Sequence, residues 1–299
     1  MLDGIRSCAD AGSVNCPCVL VSCGRCPVCS RFAGKSCNDC SWQGICIYNE
    51  FLQNGAAAEI QRKSRLCSIQ KKIWYEEDLA VMRLEVPRGF AEKASMPGSC
   101  VFVRAEEDPE YFDMPVSVMR ADYENSVIEL AVKDCGPKSR KLLEADRNIL
   151  LRGIYSNGLL GVDKLISGGR KSVLCLAKGV GIAPVSNYCR WAGRRDEIEI
   201  VADIDKVNRF FVEDCLGGCC LKKLRYDKLQ IGDMMEAASD YEVIVICASD
   251  FYQQNIMLPP EKAVYSNNFT MCCGEGICGA CVCTGEDGEE HRMCKCRKK

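Results

Sequence analysis

Between residues 67 and 153 the chain alternates short apolar, β-branched runs with polar breaks. CSIQKKIWY, LAVMRLEVP, SCVFVRAE, MPVSVMRAD, SVIELAVKD and NILLRG are separated by Pro, Gly, Asp and Glu. Six such runs predict a small antiparallel barrel. The stretch DCGPKSRKLLEA, starting at Asp134, interrupts them with a helix whose first turn carries Gly136, Pro137 and Ser139. Two readings of that helix start stay open, a phosphate site and an ordinary cap. After Gly168-Gly169 the texture changes. SVLCLAKGVGIAPVSNYCRWAG reads as a buried strand over 173–177, a glycine turn at Gly179 and Gly181, and a helix with Pro184 in its first turn. The strand EIEIVADID, a helix over 206–215 and the strand YEVIVICASD follow, in the alternating order of a parallel sheet with right-handed crossovers. The expected fold class is multidomain, α+β and α/β: an antiparallel β-barrel, then a Rossmann-like parallel sheet, with cysteine-rich segments at both termini. The boundaries fall at 1–64, 65–165, 166–262 and 263–299.

The two ends lack this periodicity. Residues 8–46 show neither period 2 nor period 3.6 and cannot build a core from aliphatic side chains, so metal is the expected organiser. Cys23, Cys26 and Cys29 give C-x2-C-x2-C, the three-ligand run of a bacterial 4Fe-4S site. Cys26, Cys29, Cys37 and Cys40 give C-x2-C-x7-C-x2-C, which equally suits tetrahedral zinc. Spacing leaves both open, and Cys8, Cys16, Cys18 and Cys46 allow a second site. Residues 47–63 read as a linker, with one helix stopping at Asn54-Gly55 and another beginning there. At the other end, Cys273, Cys278, Cys281 and Cys294 fall in the spacing C-x4-C-x2-C-x12-C, close to the four-thiolate pattern of a plant-type 2Fe-2S cluster. Gly274, Gly276 and Gly279 lie between them, where a loop wrapping a small inorganic core needs positive φ and N–H groups free to face sulfide. Cys272, Cys283 and Cys296 fall outside the ligand spacing.

Composition narrows the chemistry. The chain has 299 residues, 47% of them hydrophobic, enough for two or three packed units. A net charge of −2 argues against nucleic acid as a partner. Neither a secretory leader nor an apolar run long enough to span a bilayer is evident, so a cytoplasmic protein is expected. In such a compartment the 25 cysteines are metal ligands and reduced thiols, not disulfides. His291 is the single histidine, which excludes a Rieske centre, an all-histidine zinc site and C-x-x-C-H haem attachment. The Gly179–Gly181 loop suits a pyrophosphate, and Asp203 or Asp205, a little over 20 residues beyond Gly181, suits a ribose hydroxyl.

A barrel with Pro-x-Ser, then G-x-G-x-x-P, then four terminal cysteines resembles the electron-transfer subunit of dihydroorotate dehydrogenase. It is similar also to the small subunits of NADH-dependent ferredoxin:NADP oxidoreductase and sulfide dehydrogenase, all in the ferredoxin reductase superfamily. The resemblance covers residues 67–296. It implies FAD, with Pro115, Val116 and Ser117 against the flavin ring and the helix start at Gly136 and Ser139 on its phosphates. The family's G-P-x-x-N-G stretch is similar to 153–158, here with Ile154 for Pro, and brings in Tyr155, Asn157 and Gly158. NAD(P)H is implied at Gly179, Gly181 and Pro184. Met114 stands where many relatives carry a phosphate-pairing Arg, and Cys247-Ala248-Ser249-Asp250 replaces their Gly-Pro-like turn. The function implied is electron transfer between NAD(P)H and a catalytic or flavoprotein partner subunit, or ferredoxin. A zinc-stabilised interaction module and a thiol redox sensor are the rival readings, and the N-terminal cysteines lie outside the resemblance.

Overall fold

The computed structural model describes residues 8–58, 62–232, 238–285, 288 and 290–297. It forms two units, one of Met1–Ser64 with Phe269–Lys299 and one of Arg65–Asn268. The two cysteine-rich ends, separate segments in the sequence, thus belong to one unit. Its N-terminal part holds the helices α1 (Val19–Ser22) and α2 (Ile47–Gln53). A core does form here. Cys8, Val21, Cys26, Val28, Cys29 and Ile47 are buried together, with Phe32, Trp42, Tyr48 and Phe51 packed on them. Thiols and aromatic rings replace the missing aliphatics: the Phe32 and Phe51 rings meet edge to face at 5.4 Å. Helix α2 ends at Asn54 as the sequence predicts. The second helix expected there does not form over 54–58 or 62–64; residues 59–61 lie outside the described residues.

In the larger unit β1 (Arg65–Glu76), β2 (Leu79–Glu85), β3 (Cys100–Ala105), β4 (Met114–Asp122), β5 (Val127–Lys133) and β6 (Asn148–Tyr155) close a barrel in the order β1-β2-β5-β4-β3-β6. All six expected strands are present. Helix α3 (Arg88–Ala94) buries Phe90, Ala91 and Ala94 against the barrel core, and α4 (Pro137–Glu144) buries Leu142 and Leu143. The run LAVM in β2 is apolar on both faces because it serves two cores. Ala80, Met82 and Leu84 fill the barrel, whereas Leu79 and Val81 join Met119 and Ala131 in a second cluster reaching the adjoining sheet.

That sheet contains β7 (Leu159–Leu160), β8 (Ser172–Lys178), β9 (Glu197–Asp203), β10 (Lys223–Tyr226), β11 (Val243–Cys247) and β12 (Ala263–Ser266). Their order is β10-β9-β8-β11-β12-β7, parallel except for β7. Helices α5 (Asp163–Ile166), α6 (Ile182–Ala192), α7 (Arg209–Leu216) and α8 (Asp250–Asn255) accompany it. Strand β8 is apolar from Val173 to Ala177 since both its faces are covered: Val173 and Cys175 belong to one cluster, Leu174 and Leu176 to another. The sheet exceeds the bounds expected for it at both ends. Strand β7 lies in the stretch assigned to the barrel, and β12 in the stretch assigned to the terminal cluster segment. Each is fixed by its ladder, Tyr265 opposite Leu160 and Ile244 opposite Ala263. No helix among the described residues is long and apolar enough to cross a membrane.

Side-chain bonds join barrel and sheet. Asn187 of α6 donates through Nδ2 to the Ala94 carbonyl at 2.9 Å, Asn208 donates to the Tyr75 carbonyl at 2.6 Å, and Arg120 to the Asp214 carbonyl at 2.9 Å. Within the sheet unit the Asp196 carboxylate is buried and accepts from Tyr188 Oη (2.7 Å), Arg195 Nη2 (2.7 Å) and the Lys171 N–H (3.2 Å). Burial pushes its pKa up, but Arg195 and Tyr188 outweigh that and hold it below the ordinary carboxylate value. A depressed folded pKa supplies stability above the unfolded pKa and loses it as pH falls through the folded one. Asp196→Ala should therefore cost about 2–4 kcal/mol at neutral pH. In urea titrations the gap from the parent protein should narrow below about pH 4.

Candidate functional site

On the barrel, Pro115, Val116 and Ser117 pair with Phe102, Val101 and Cys100 of β3. Pro115 is exposed while Val116 and Ser117 are half-buried, so this strip of β4 offers an open face. Beside it, Tyr155 is buried with its ring edge to face on Phe102 at 4.9 Å, and its hydroxyl bonds to the Arg152 guanidinium. Arg152 and Arg104 both pair with Asp113, at 2.8 and 2.5 Å. The two guanidiniums close to Met114 across the ladder thus share one buried carboxylate, which balances only one of their two charges. Asn157 is buried, and its carbonyl accepts from Asn267 Nδ2 at 2.9 Å. Gly158 donates to the Gly98 carbonyl at 2.8 Å, and a Cβ there would stand 2.9 Å from that oxygen, so the approach requires glycine.

At the start of α4, Ser139 Oγ accepts the N–H groups of Cys135 (2.8 Å) and Gly136 (3.0 Å). The hydroxyl and these two N–H groups thus form a local cap at the helix start. Gly136, at φ +155°, is needed for the backbone entering Pro137.

The carboxyl ends of β8, β9 and β11 lie side by side, the edge where open α/β sheets bind ligands. Gly179 turns the chain at φ +59°. Gly181 then passes so close to β11 that a Cβ would fall 2.0 Å from the Cys247 carbonyl oxygen. Pro184 is buried in the first turn of α6. Lys178, which the sequence did not single out, reaches Asp203 at 2.6 Å and Asp205 at 3.5 Å. The two candidate acids are not equivalent. Asp203 is buried, and besides Lys178 it accepts the N–H groups of Asp205 (3.0 Å) and Leu229 (3.1 Å). Burial raises its pKa, but Lys178 and these N–H groups bring it below the ordinary value. Asp203 is an internal strut, whereas the Asp205 carboxylate stays 55% exposed. The turn at Ala248 is closed by amides: its carbonyl accepts from Asn268 Nδ2 at 2.8 Å and Gln253 Nε2 at 3.2 Å.

In the smaller unit β13 (Val282–Thr284) and β14 (Glu290–Arg292) form a hairpin that brings Cys281 and Cys294 together. The Cys294 N–H donates to Cys281 Sγ at 3.3 Å. Cys273 Sγ accepts from the N–H groups of Glu275, Ile277 and Cys278 at 3.3, 3.4 and 3.5 Å. Gly274, Gly276 and Gly279 all have positive φ, which lets the loop turn its N–H groups inward. The neighbouring Cys294 thiol and the backbone N–H groups lower Cys273 to about 3 and Cys281 to about 6, while Cys294 itself is raised. Cys278 is exposed at the loop rim. Among the described residues no three or more His, Cys, Asp or Glu side chains are gathered in a geometry that would hold a metal ion. By chemistry the donor set fits a 2Fe-2S cluster all the same, because thiolates aimed at by backbone N–H groups are what such a cluster requires.

The N-terminal candidates divide. Cys26 and Cys29 are buried in the small thiol and aromatic core, but Cys23, Cys37 and Cys40 are exposed outside it. Neither spacing-based set is brought together. Sequence reasoning also missed four charges in this unit: Asp10, Arg62, Glu275 and Lys295 form a buried alternating cluster. Arg62 lies 2.5 Å from Asp10 and 3.1 Å from Glu275, and Lys295 lies 2.5 and 2.9 Å from the same two acids.

No protein-family model matches the chain. A probable electron transfer subunit of dihydroorotate dehydrogenase B (NAD(+)) from Archaeoglobus fulgidus is 28% identical over 208 residues, 63% of this chain and 80% of the relative. A protein of the same description from Pyrococcus furiosus is 27% identical over 156 residues, 48% of this chain. The chain spans only 58% of that relative's length. Among solved structures, an NADH-dependent reduced ferredoxin-NADP oxidoreductase studied for flavin-based electron bifurcation matches with a TM-score of 0.54. It is 21% identical, and the match covers 78% of this chain and 86% of that one. A ferredoxin reductase of carbazole 1,9a-dioxygenase matches with a TM-score of 0.50 at 16% identity, over 69% and 70% of the two chains. With a six-stranded barrel joined to a parallel sheet, the chain is similar in fold to these ferredoxin reductases, and in sequence to the two probable electron transfer subunits.

Proposed function

We propose that the chain is the flavin and iron–sulfur electron-transfer subunit of an oxidoreductase complex, passing electrons between NAD(P)H and a partner subunit or ferredoxin. The observation that carries this reading is the Cys273 loop, with three N–H groups on one thiol, in a chain whose other unit joins a barrel to a nucleotide-type sheet. The barrel would hold FAD along Pro115, Val116 and Ser117, with the start of α4 at Gly136 and Ser139 and the Tyr155, Asn157 and Gly158 turn beside it. The sheet would take NAD(P)H at its carboxyl edge, where Gly179 and Gly181 let backbone approach a pyrophosphate and the start of α6 favours negative charge. Cys273, Cys278, Cys281 and Cys294 would hold the 2Fe-2S cluster. When bound, a flavin supplies three oxidation states and so links two-electron hydride exchange to one-electron carriers. The protein's part is to bind and orient. It needs no acid or base, which agrees with a chain holding one histidine. A further 4Fe-4S cluster or zinc would sit among the N-terminal cysteines Cys23, Cys26, Cys29, Cys37 and Cys40, and a cytoplasmic location would keep 25 cysteines reduced.

Protein purified without oxygen should carry flavin, iron and acid-labile sulfide and should be bleached by NAD(P)H. A colourless protein containing only zinc would overturn the proposal in favour of an interaction module. Because Asp205 rather than Asp203 has an exposed carboxylate, Asp205→Asn should raise the KM for NAD(P)H about tenfold with kcat little changed, the loss expected for one charged hydrogen bond. Steady-state kinetics with both coenzymes would check it.

A further inference from the structure

Lys295 immediately follows Cys294, and Glu275 lies between Cys273 and Cys278. Lys295 is buried, at 2% side-chain exposure, and Glu275 is half-buried, at 14%. A buried ammonium beside a thiolate loop is a strong local field, for in a low dielectric the interaction is screened far less than in water. The C-terminal segment supplies one acid against it. The remainder of the balance comes from the other end of the chain: Asp10 Oδ2 lies 2.5 Å from Lys295 Nζ, and Arg62 closes the ring onto Asp10 and Glu275. Two anions and two cations alternate, so the ring is neutral. The Ala9 N–H donates to the Lys295 carbonyl at 2.8 Å and fixes the register of the two segments. Four charges taken out of water stabilise a fold little, since desolvation offsets their attraction. Their arrangement is better explained by what it does to the neighbouring centre.

We infer that Asp10 and Arg62 are positioning residues for the C-terminal cluster, acting through Lys295 and Glu275 to set the charge beside it and hence its reduction potential. The inference rests on the proposed cluster at Cys273, Cys278, Cys281 and Cys294. Reduction adds one electron, and a net positive charge nearby favours it. Asp10→Asn leaves the ring at +1 and should raise the midpoint, while Arg62→Gln leaves it at −1 and should lower it. Each shift should approach tenfold in the one-electron equilibrium, or about 59 mV. Asp10→Asn/Arg62→Gln is neutral again and should return toward the parent value.

The test is a mediated redox titration of the anaerobically prepared full chain, followed by electron paramagnetic resonance, after iron and sulfide have been assayed on every variant. Opposite shifts in the single variants, with recovery in the double variant, support the inference. Midpoints that do not move, or that all move one way with the double variant the most displaced, mean the ring is only a brace and overturn it. Should one single variant fail to fold, the other against the parent still decides: a midpoint that does not move in the direction stated for it overturns the charge argument. Absence of iron and sulfide from the parent protein would instead overturn the cluster itself.

Discussion

Cys278→Ser should leave NAD(P)H able to reduce the bound flavin at close to the parent rate, while reduction of a one-electron protein acceptor falls more than about 100-fold. The separation follows from where the residue sits. The Cys278 side chain is exposed, whereas it is Cys273 and Cys281 whose sulfurs accept the N–H groups that hold the loop. Serine should therefore keep the loop folded and remove one of the four proposed ligands. The barrel strip at Pro115, Val116 and Ser117 and the glycine loop at Gly179 and Gly181 belong to the other unit, so hydride delivery has no reason to suffer. Stopped-flow absorbance of the flavin, set beside steady-state reduction of the acceptor, measures both halves in one preparation. Equal loss of both in a folded protein would mean that electrons do not travel from nicotinamide to flavin to cluster.

What the sequence revealed of this fold depended on whether a feature was local. The barrel was legible because each strand carries its own period and its own terminators. The β8, glycine turn and α6 sequence was legible because strand, turn and helix are contiguous. Strands β7 and β12 were not, for two and four residues carry no period and are defined only by their ladder partners. Asp203 and Asp205 are equivalent at the level of spacing. What separates them is that Lys178 and the Leu229 N–H both converge on the first. The surroundings of the N-terminal cysteines were hidden for a related reason: spacing does not tell that Phe32, Tyr48 and Phe51 can bury Cys26 and Cys29 while Cys37 and Cys40 stay outside. Least visible of all was the Asp10–Lys295 pair, whose partners stand 285 positions apart. No pattern of neighbours can announce such a contact.

Gly181→Ala should be the most damaging single substitution at the nucleotide edge. The added methyl would meet not a flexible side chain but the Cys247 carbonyl oxygen, at 2.0 Å, with Cys247 Cβ at 3.2 Å. Either the start of α6 or the end of β11 must move. Both are buried, and Cys247 is held in register with Ala177 of β8. Interiors packed at crystal density yield little to such an insertion, so a loss of about 3 kcal/mol or more is expected in urea unfolding. The displaced loop should also weaken NAD(P)H binding by more than about tenfold. Gly179→Ala offers a graded comparison: nothing crowds it, and its φ of +59° should cost only about 1–2 kcal/mol. Gly169→Ala, with open space around it, should stay within about 0.5 kcal/mol of the parent. If Gly181→Ala proves no worse than Gly179→Ala, the loop does not lean on β11, and the close approach that would shape a pyrophosphate cradle is absent in solution.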